Sequence, residues 1–244
     1  MNMKNISFLK NKLIAHRGLH YNCIENTIPA FILAIEKNYI IECDIHLSKD
    51  KELVVYHDYT LKRLYNKNIL IKDLTHKELK KYKIPSLEEV LSLINGKVPI
   101  IIEIKVQNKL LLKKLILLLD KYKGKFAIQS FNPLTILSIK ILRPLYVRGY
   151  LTYNLNNLTY KTFLNHKLLS KILKPDFIGM NISSIEKEKI QKLRKKYFLI
   201  GYTIKNEEEY LKYDNYADNF ICDIPAPGIK KQETVPLRTV SQKE

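Results

Sequence analysis

The stretch Tyr39–Leu47 reads YIIECDIHL, and polar and apolar residues alternate in it from Ile41 to Leu47. Glu42, Asp44 and His46 alternate with apolar residues, which is the two-residue period of a β-strand and places both carboxylates on one face. Helical segments elsewhere in the chain can cover the opposite, apolar face of this strand. The charged face is therefore expected to point inward, where buried carboxylates need partners or a metal ion.

The segment Ile100–Val106 repeats this pattern. Glu103 and Lys105 share one face of the predicted strand, while isoleucine and valine residues occupy the other. Because the apolar face again suits packing against helices, we expect these charges to point inward as well.

Nine extended runs are predicted in all: Lys12–His16, Tyr39–Leu47, Glu52–His57, Pro99–Val106, Phe126–Phe131, Tyr146–Thr152, Asp176–Ile182, Phe198–Ile204 and Asn219–Ile224. Only Ser48–Lys51 separates the second run from the third, whereas a parallel crossover needs a dozen or more residues. The third run is therefore expected to be the return arm of a hairpin, which leaves eight parallel strands.

Apolar residues at helical intervals predict helices between these runs, over Ile28–Lys37, Leu110–Tyr122, Pro133–Ile141, Tyr160–Leu173, Ile185–Tyr197 and Asn206–Tyr213. Ser86 and Glu89 form a capping box that opens another helix, and Thr75 and Glu78 predict a short capped helix inside the excursion Asp58–Ile84. Eight strand–helix units predict a (β/α)8 TIM barrel with a short hairpin and a small insertion after the second strand.

The bulk properties favour one soluble domain inside the cell. We expect residues 1–225 to form a single barrel and the polar residues 226–244 to be a disordered tail. No stretch approaches the roughly 18 apolar residues of a membrane span, so no stable membrane insertion is expected. The three cysteines lack ligand spacing, which favours a reduced, cytoplasmic setting.

The chain carries a formal net charge of +18. Its lysines are spread along the whole sequence without an interleaved aromatic platform, so no nucleic acid partner is expected. Basic helix surfaces leave room for transient contact with a membrane surface. The sequence does not indicate an oligomeric state.

Five short motifs in the first 105 residues carry the chemistry: His16-Arg17-Gly18, Glu25-Asn26-Thr27, Glu42-Cys43-Asp44, His57-Asp58 and Glu103-Ile104-Lys105. Three later pairs or motifs follow at strand ends: Ser130-Phe131, Tyr202-Thr203 and Cys222-Asp223-x-Pro225. In this order the motifs resemble those of the glycerophosphodiester phosphodiesterase family, and the resemblance runs from about Leu13 to Pro225.

The chemistry of the residues agrees with this resemblance. A phosphodiester is anionic, so its hydrolysis needs charge neutralisation and proton transfer. Three carboxylates offer hard oxygen ligands that favour Ca²⁺ or Mg²⁺; they belong to Glu42, Asp44 and Glu103. Arg17 and Lys105 are suited to hold phosphate oxygens.

The resemblance implies the same assignment of roles. His16 and His57 would be the general acid and base, with their order left open. Glu25 is expected to hold His16 or Arg17 in place. The resemblance also implies a mechanism in which the neighbouring glycerol hydroxyl attacks phosphorus, giving a cyclic phosphate that water then opens.

The expected substrates are small glycerophosphodiesters such as glycerophosphocholine or glycerophosphoethanolamine, hydrolysed to sn-glycerol 3-phosphate and an alcohol. Two alternatives stay open: a lysophospholipase D acting on lysophospholipids, and a catalytically idle barrel that binds anionic ligands. The chain also departs from the family, because it has no tryptophan near Tyr202 and has Leu19–Asn22 where glycines are common. These departures leave the substrate preference open.

Overall fold

Eight parallel strands form a closed barrel in the computed structural model, which describes residues 4–10, 12–152, 171–184 and 187–223. A direct pairing of the first two strands closes the ring. The strands in chain order are β1 (Ile14–Ala15), β2 (Ile40–Leu47), β3 (Leu53–Val55), β4 (Ile100–Ile104), β5 (Phe126–Ser130), β6 (Val147–Thr152), β7 (Phe177–Asn181), β8 (Phe198–Ile204) and β9 (Asn219–Cys222). The predicted (β/α)8 barrel is confirmed.

The strand β3 lies outside the ring and is antiparallel. It pairs with the carboxyl end of β2, where Ile45 faces Val55 and Leu47 faces Leu53, and its Val54 also bridges Ser86. The tight connection closes with a hydrogen bond from the Ser48 amide to the Glu52 carbonyl, 3.0 Å long. The hairpin predicted from the short connection is therefore present, and its second arm runs back beside the carboxyl-terminal part of β2.

Except for α2, which the sequence did not predict, the described helices lie where periodicity or a capping box predicts them, with ends that differ by a few residues. They are α1 (Ile28–Glu36), α2 (Lys62–Tyr65), α3 (His76–Leu79), α4 (Leu87–Ile94), α5 (Lys109–Leu119), α6 (Pro133–Leu142), α7 (Lys187–Arg194) and α8 (Glu207–Tyr213). Both predicted capping boxes form, at the start of α3 and of α4.

Part of the predicted helix Tyr160–Leu173 and the whole predicted tail 226–244 lie outside the described residues. Within the described part of the former, residues 171–173 are helical. Among the described helices, none combines the length and the apolar character that a membrane span requires.

A layer of apolar side chains fills the interior of the barrel at the amino ends of the strands. Each of the eight ring strands contributes one of them: Ile14, Ile40, Ile101, Ala127, Val147, Phe177, Ile200 and Ile221. Leu9, which is fully buried, packs against this layer from the amino-terminal segment. The opposite faces of the strands pack against the helices. This layer forms an apolar floor, so polar side chains that point inward lie above it, towards the carboxyl ends of the strands.

The excursion after the hairpin has a small core of its own. Six buried residues form it: Val54, Tyr56, Leu61, Ile71, Leu79 and Ile84. The excursion is thus an ordered insertion, packed through Val54 and Tyr56 onto the segment that carries His57.

We predict that Ile200→Ala lowers the free energy of unfolding by about 2–5 kcal/mol, because it opens a cavity in the apolar floor. The matched control is Ile141→Ala, since Ile141 lies on α6 with 70% of its surface exposed; it should change stability by no more than about 0.5 kcal/mol. Denaturant unfolding checks both values. Equal effects of the two substitutions would contradict the packing described for this floor.

Candidate active site

Three carboxylates meet inside the barrel above its apolar floor. Glu42 and Asp44 follow the floor residue of β2 at two-residue intervals, and Glu103 does so on β4, in register with Asp44. One oxygen of each carboxylate lies within 4.8 Å of the others, and all three residues are buried. Three hard oxygen donors this close together could hold a divalent metal ion.

Lys105 places a cation against two of these carboxylates. Its Nζ lies 2.8 Å from Oδ1 of Asp44 and 2.7 Å from Oε1 of Glu103. The amide of Gln129 donates a hydrogen bond of 3.2 Å to Oε1 of Glu42. A buried anion is costly in an apolar surrounding unless its charge is compensated. Each of the three carboxylates accordingly has a protein partner.

The three carboxyl groups titrate differently because their neighbours differ. Burial alone would raise the pKa of Asp44, but Lys105 and Arg17 outweigh it and hold that pKa well below its usual range. Burial and the neighbouring carboxylates raise the pKa of Glu42 well above its ordinary value, and burial with Asp44 raises that of Glu103 to about 7. The cluster thus repels additional negative charge and favours additional positive charge.

The turn after β1 brings the backbone of Arg17 to the carboxylates. Arg17 and Gly18 both adopt left-handed conformations, with φ of 57° and 80°. A side chain at Gly18 would bring a Cβ atom to 2.9 Å from atoms of Ala30, so glycine is required there. In this turn the Arg17 amide donates to Oε2 of Glu42 at 3.2 Å.

The Arg17 side chain is held by two acidic residues. Its Nη1 donates to Oε1 of Glu25 at 2.7 Å, and its Nε lies 3.4 Å from Oδ2 of Asp44. Asn26 donates to the same Asp44 oxygen at 3.0 Å. The sequence left open whether Glu25 contacts His16 or Arg17; the contact is with Arg17.

His16 contacts the carboxyl end of β9, the last strand of the barrel. Its Nδ1 lies 2.5 Å from Oδ1 of Asp223, and its backbone amide donates to the Cys222 carbonyl at 3.0 Å. His20 lies 3.6 Å from the same Asp223 oxygen. Burial alone would raise the pKa of Asp223, but the two histidines hold it far below its ordinary value.

His57 has a carboxylate partner of the same kind. Its Nδ1 lies 2.6 Å from Oδ1 of Asp58, and burial lowers the pKa of its imidazole. The charge on His57 contributes to the lowered pKa of the Asp44 carboxyl group. His46, which the sequence did not assign to the site, is buried with its Nε2 3.1 Å from the His57 carbonyl.

The structure brings most of the predicted residues into one contact network, formed by Arg17, Glu25, Glu42, Asp44, Glu103 and Lys105. His57 does not contact this network directly through any described contact, but it contributes to the lowered pKa of Asp44. His16 joins it through the chain, as the residue before Arg17.

Sequence reasoning missed four side chains that support these groups: Asn26, Asp58, Arg63 and Asp223. Three of the four lie inside the motifs given above, and two of these, Asn26 and Asp58, are next to residues with an assigned role. Their positions were therefore visible, but not their partners. Arg63 lies in α2 and carries no motif signal.

The family model described as "Glycerophosphoryl diester phosphodiesterase family" matches residues 16–224. The chain belongs to this family. The glycerophosphodiester phosphodiesterases are enzymes, and the matched range begins at His16 and ends just after Asp223.

Individual members of the family are similar over parts of the chain. A glycerophosphodiester phosphodiesterase of Caldanaerobacter subterraneus is 35% identical over 157 residues, covering 56% of this chain and 64% of that protein. The human lysophospholipase D GDPD1 is 36% identical over 132 residues, covering 46% of this chain and 42% of that protein. The matched regions thus span less than two thirds of either relative.

A solved structure extends the likeness to nearly the whole fold. An Oleispira antarctica phosphodiesterase in complex with the product sn-glycerol-3-phosphate superposes with a TM-score of 0.77 at 25% identity. The superposition covers 90% of this chain and 95% of that chain.

We predict that Lys105→Met destabilises the metal-free protein by about 3–5 kcal/mol, because it removes the buried cation that contacts both Asp44 and Glu103. The matched control is Lys114→Met, whose ion pair with Glu52 spans 3.2 Å at the surface; it should cost about 0–1 kcal/mol. Urea unfolding in the presence of a chelator measures both. A Lys105 variant as stable as the control would contradict the charge balance described here.

Proposed function

We propose that this protein hydrolyses glycerophosphodiesters to sn-glycerol 3-phosphate and an alcohol, with glycerophosphocholine and glycerophosphoethanolamine as representative substrates. The observation that carries the proposal is the buried group of three carboxylates with Arg17 and Lys105 against it, above the floor of the barrel. Carboxyl ends of barrel strands are where enzymes of this fold hold their reacting groups.

Glu42, Asp44 and Glu103 are the residues that would hold a divalent cation, Ca²⁺ or Mg²⁺. When bound, the ion would neutralise phosphate charge and act as a Lewis acid towards a phosphoryl oxygen. These three residues suit such an ion because all their donor atoms are oxygens and because the three groups lie close together.

Arg17 and Lys105 are proposed to hold the phosphate group. Both are cations at the carboxylate cluster, and 13% and 15% of their side chains are exposed, so each can reach a ligand. The guanidinium of Arg17 is already fixed by Glu25, and a cation fixed before the substrate arrives loses little freedom on binding. Arg17 and Lys105 would then neutralise the charge that grows on phosphoryl oxygens as the nucleophile attacks.

His16 and His57 are proposed to move the protons. A carboxylate engages Nδ1 of each ring, Asp223 for His16 and Asp58 for His57, which favours the tautomer with hydrogen on Nδ1. Proton exchange with the substrate then falls to the Nε2 atoms. One Nε2 would accept the proton of the attacking hydroxyl, and the other would give a proton to the departing alkoxide.

The comparisons support this reaction without fixing the alcohol. The Oleispira antarctica neighbour binds sn-glycerol-3-phosphate, the product expected here. A second candidate is hydrolysis of lysophospholipids, favoured by the likeness to the human lysophospholipase D. We propose a cytoplasmic setting for either reaction, because all three cysteines are free thiols.

The decisive assay measures release of glycerol 3-phosphate from glycerophosphocholine by metal-stripped protein, with and without added Ca²⁺ or Mg²⁺. We expect release only when metal is present. Glu42→Gln should abolish it by weakening the metal site, and His16→Gln should lower kcat by about 10²–10⁴-fold through loss of proton transfer.

The matched control for these variants is Asp120→Asn, which removes a surface carboxylate paired with Arg143 and should leave turnover unchanged. Lysophosphatidylcholine is assayed in parallel, and a strong preference for it would favour the second candidate. Metal-independent, salt-sensitive ligand binding with no turnover of either substrate would contradict both and favour an idle binding barrel.

A further inference from the structure

Arg63, on the short helix α2, contacts two carboxylates at once. Its Nη1 donates to Oε2 of Glu25 at 3.0 Å, and its Nη2 contacts the other Glu25 oxygen. Its Nε donates to Oδ2 of Asp58 at 2.6 Å. The planar guanidinium fork thus spans two separate loops of the barrel mouth, which a single ammonium group does not match in geometry.

Each of these carboxylates also contacts a second side chain, and that side chain belongs to the proposed site. Glu25 accepts from Nη1 of Arg17 at 2.7 Å, and Asp58 contacts Nδ1 of His57 at 2.6 Å. A single carboxylate therefore connects Arg63 to each of two site residues: Glu25 connects it to the proposed phosphate-holding Arg17, and Asp58 connects it to the proposed proton-transfer residue His57.

The exposure of these residues indicates what Arg63 does. The Arg63 side chain is 45% exposed, whereas Glu25 is 12% and Asp58 23% exposed. An ion pair open to solvent on one side contributes little to global stability. Arg63 therefore affects the orientation of its two less exposed partners more than it affects global stability, because each partner holds a further side chain.

The insertion fixes the position of Arg63. Leu61, the N-cap residue immediately before α2, is fully buried in the core of the insertion. Leu64 and Tyr65 pack against that core, and the Tyr65 hydroxyl donates to the Tyr82 carbonyl. The helix that carries Arg63 is thus anchored on both sides of this residue.

We propose that Arg63 is a positioning residue that couples the insertion to the active site, holding Arg17 through Glu25 and His57 through Asp58 in one arrangement. This inference rests on the proposed function for the roles of Arg17 and His57. It adds that a folded insertion is required for a competent site.

The test compares the kinetics of Arg63→Gln and Arg63→Lys in the full-length protein, with glycerophosphocholine and added metal. Arg63→Gln should lower kcat/KM by about 10- to 100-fold, the usual cost of losing a residue that orients site groups. We expect KM to rise because Arg17 is released and kcat to fall because His57 is released. Arg63→Lys should be intermediate, since an ammonium keeps the charge but not the fork.

The matched control is Arg143→Gln. Arg143 also forms a fork with a surface carboxylate, Asp120, and is 39% exposed, but it caps the end of α6 at the amino-terminal side of β6. This variant should have wild-type kcat and KM. Thermal unfolding of all variants shows the fraction folded under assay conditions.

A double-substitution cycle separates positioning from folding. If Arg63 acts on His57 through Asp58, Arg63→Gln should lower kcat less in an Asp58→Asn background than in the wild type. A purely structural role would instead reduce the amount of folded protein, which lowers the measured kcat and leaves KM unchanged.

A second measurement does not depend on turnover. The ¹⁵N signals of the His57 ring, assigned with a His57→Gln variant, should shift in Arg63→Gln and remain in place in Arg143→Gln. Unchanged His57 signals together with wild-type kcat and KM in Arg63→Gln would overturn the inference. If the wild type turns over no substrate, the proposed function fails, while the His57 signals still decide whether Arg63 orients that ring.

Discussion

The structure depends on compensation of buried negative charge at the mouth of the barrel. Glu42, Asp44 and Glu103 are buried within 4.8 Å of one another, and such a group is stable only with cations beside it. Lys105 and Arg17 supply part of that compensation at 2.7 to 3.4 Å. Burial and the neighbouring carboxylates keep the pKa of Glu42 and of Glu103 above their ordinary values despite these cations.

The fold supplies what this charge group needs. The apolar floor of the barrel, with one residue from each ring strand, fixes the two-residue register that brings the carboxylates together. The hairpin arm β3 and the insertion then bring His57 and Arg63 over the same end of the barrel. The site is thereby held by strands on one side and by a small independent core on the other.

Local sequence patterns predicted much of the fold and many of the site residues. Strand parity identified the inward faces of β2 and β4, and the short connection Ser48–Lys51 identified the hairpin, because both follow from backbone geometry alone. Partner choice was not predictable in this way. His16 and Asp223 are 207 residues apart, and Arg63 and Glu25 are 38 apart. Such pairs arise only when the barrel closes and the insertion folds.

The most direct test of the charge account is anomalous diffraction from crystals soaked in Mn²⁺, which shares the oxygen-ligand preference of Mg²⁺. We expect a single strong anomalous peak bounded by Glu42, Asp44 and Glu103, with Lys105 displaced from at least one of its carboxylates. The same peak should be absent from crystals of Glu42→Gln. A wild-type crystal with manganese bound only at surface carboxylates, and with Lys105 still against Asp44 and Glu103, would contradict the account.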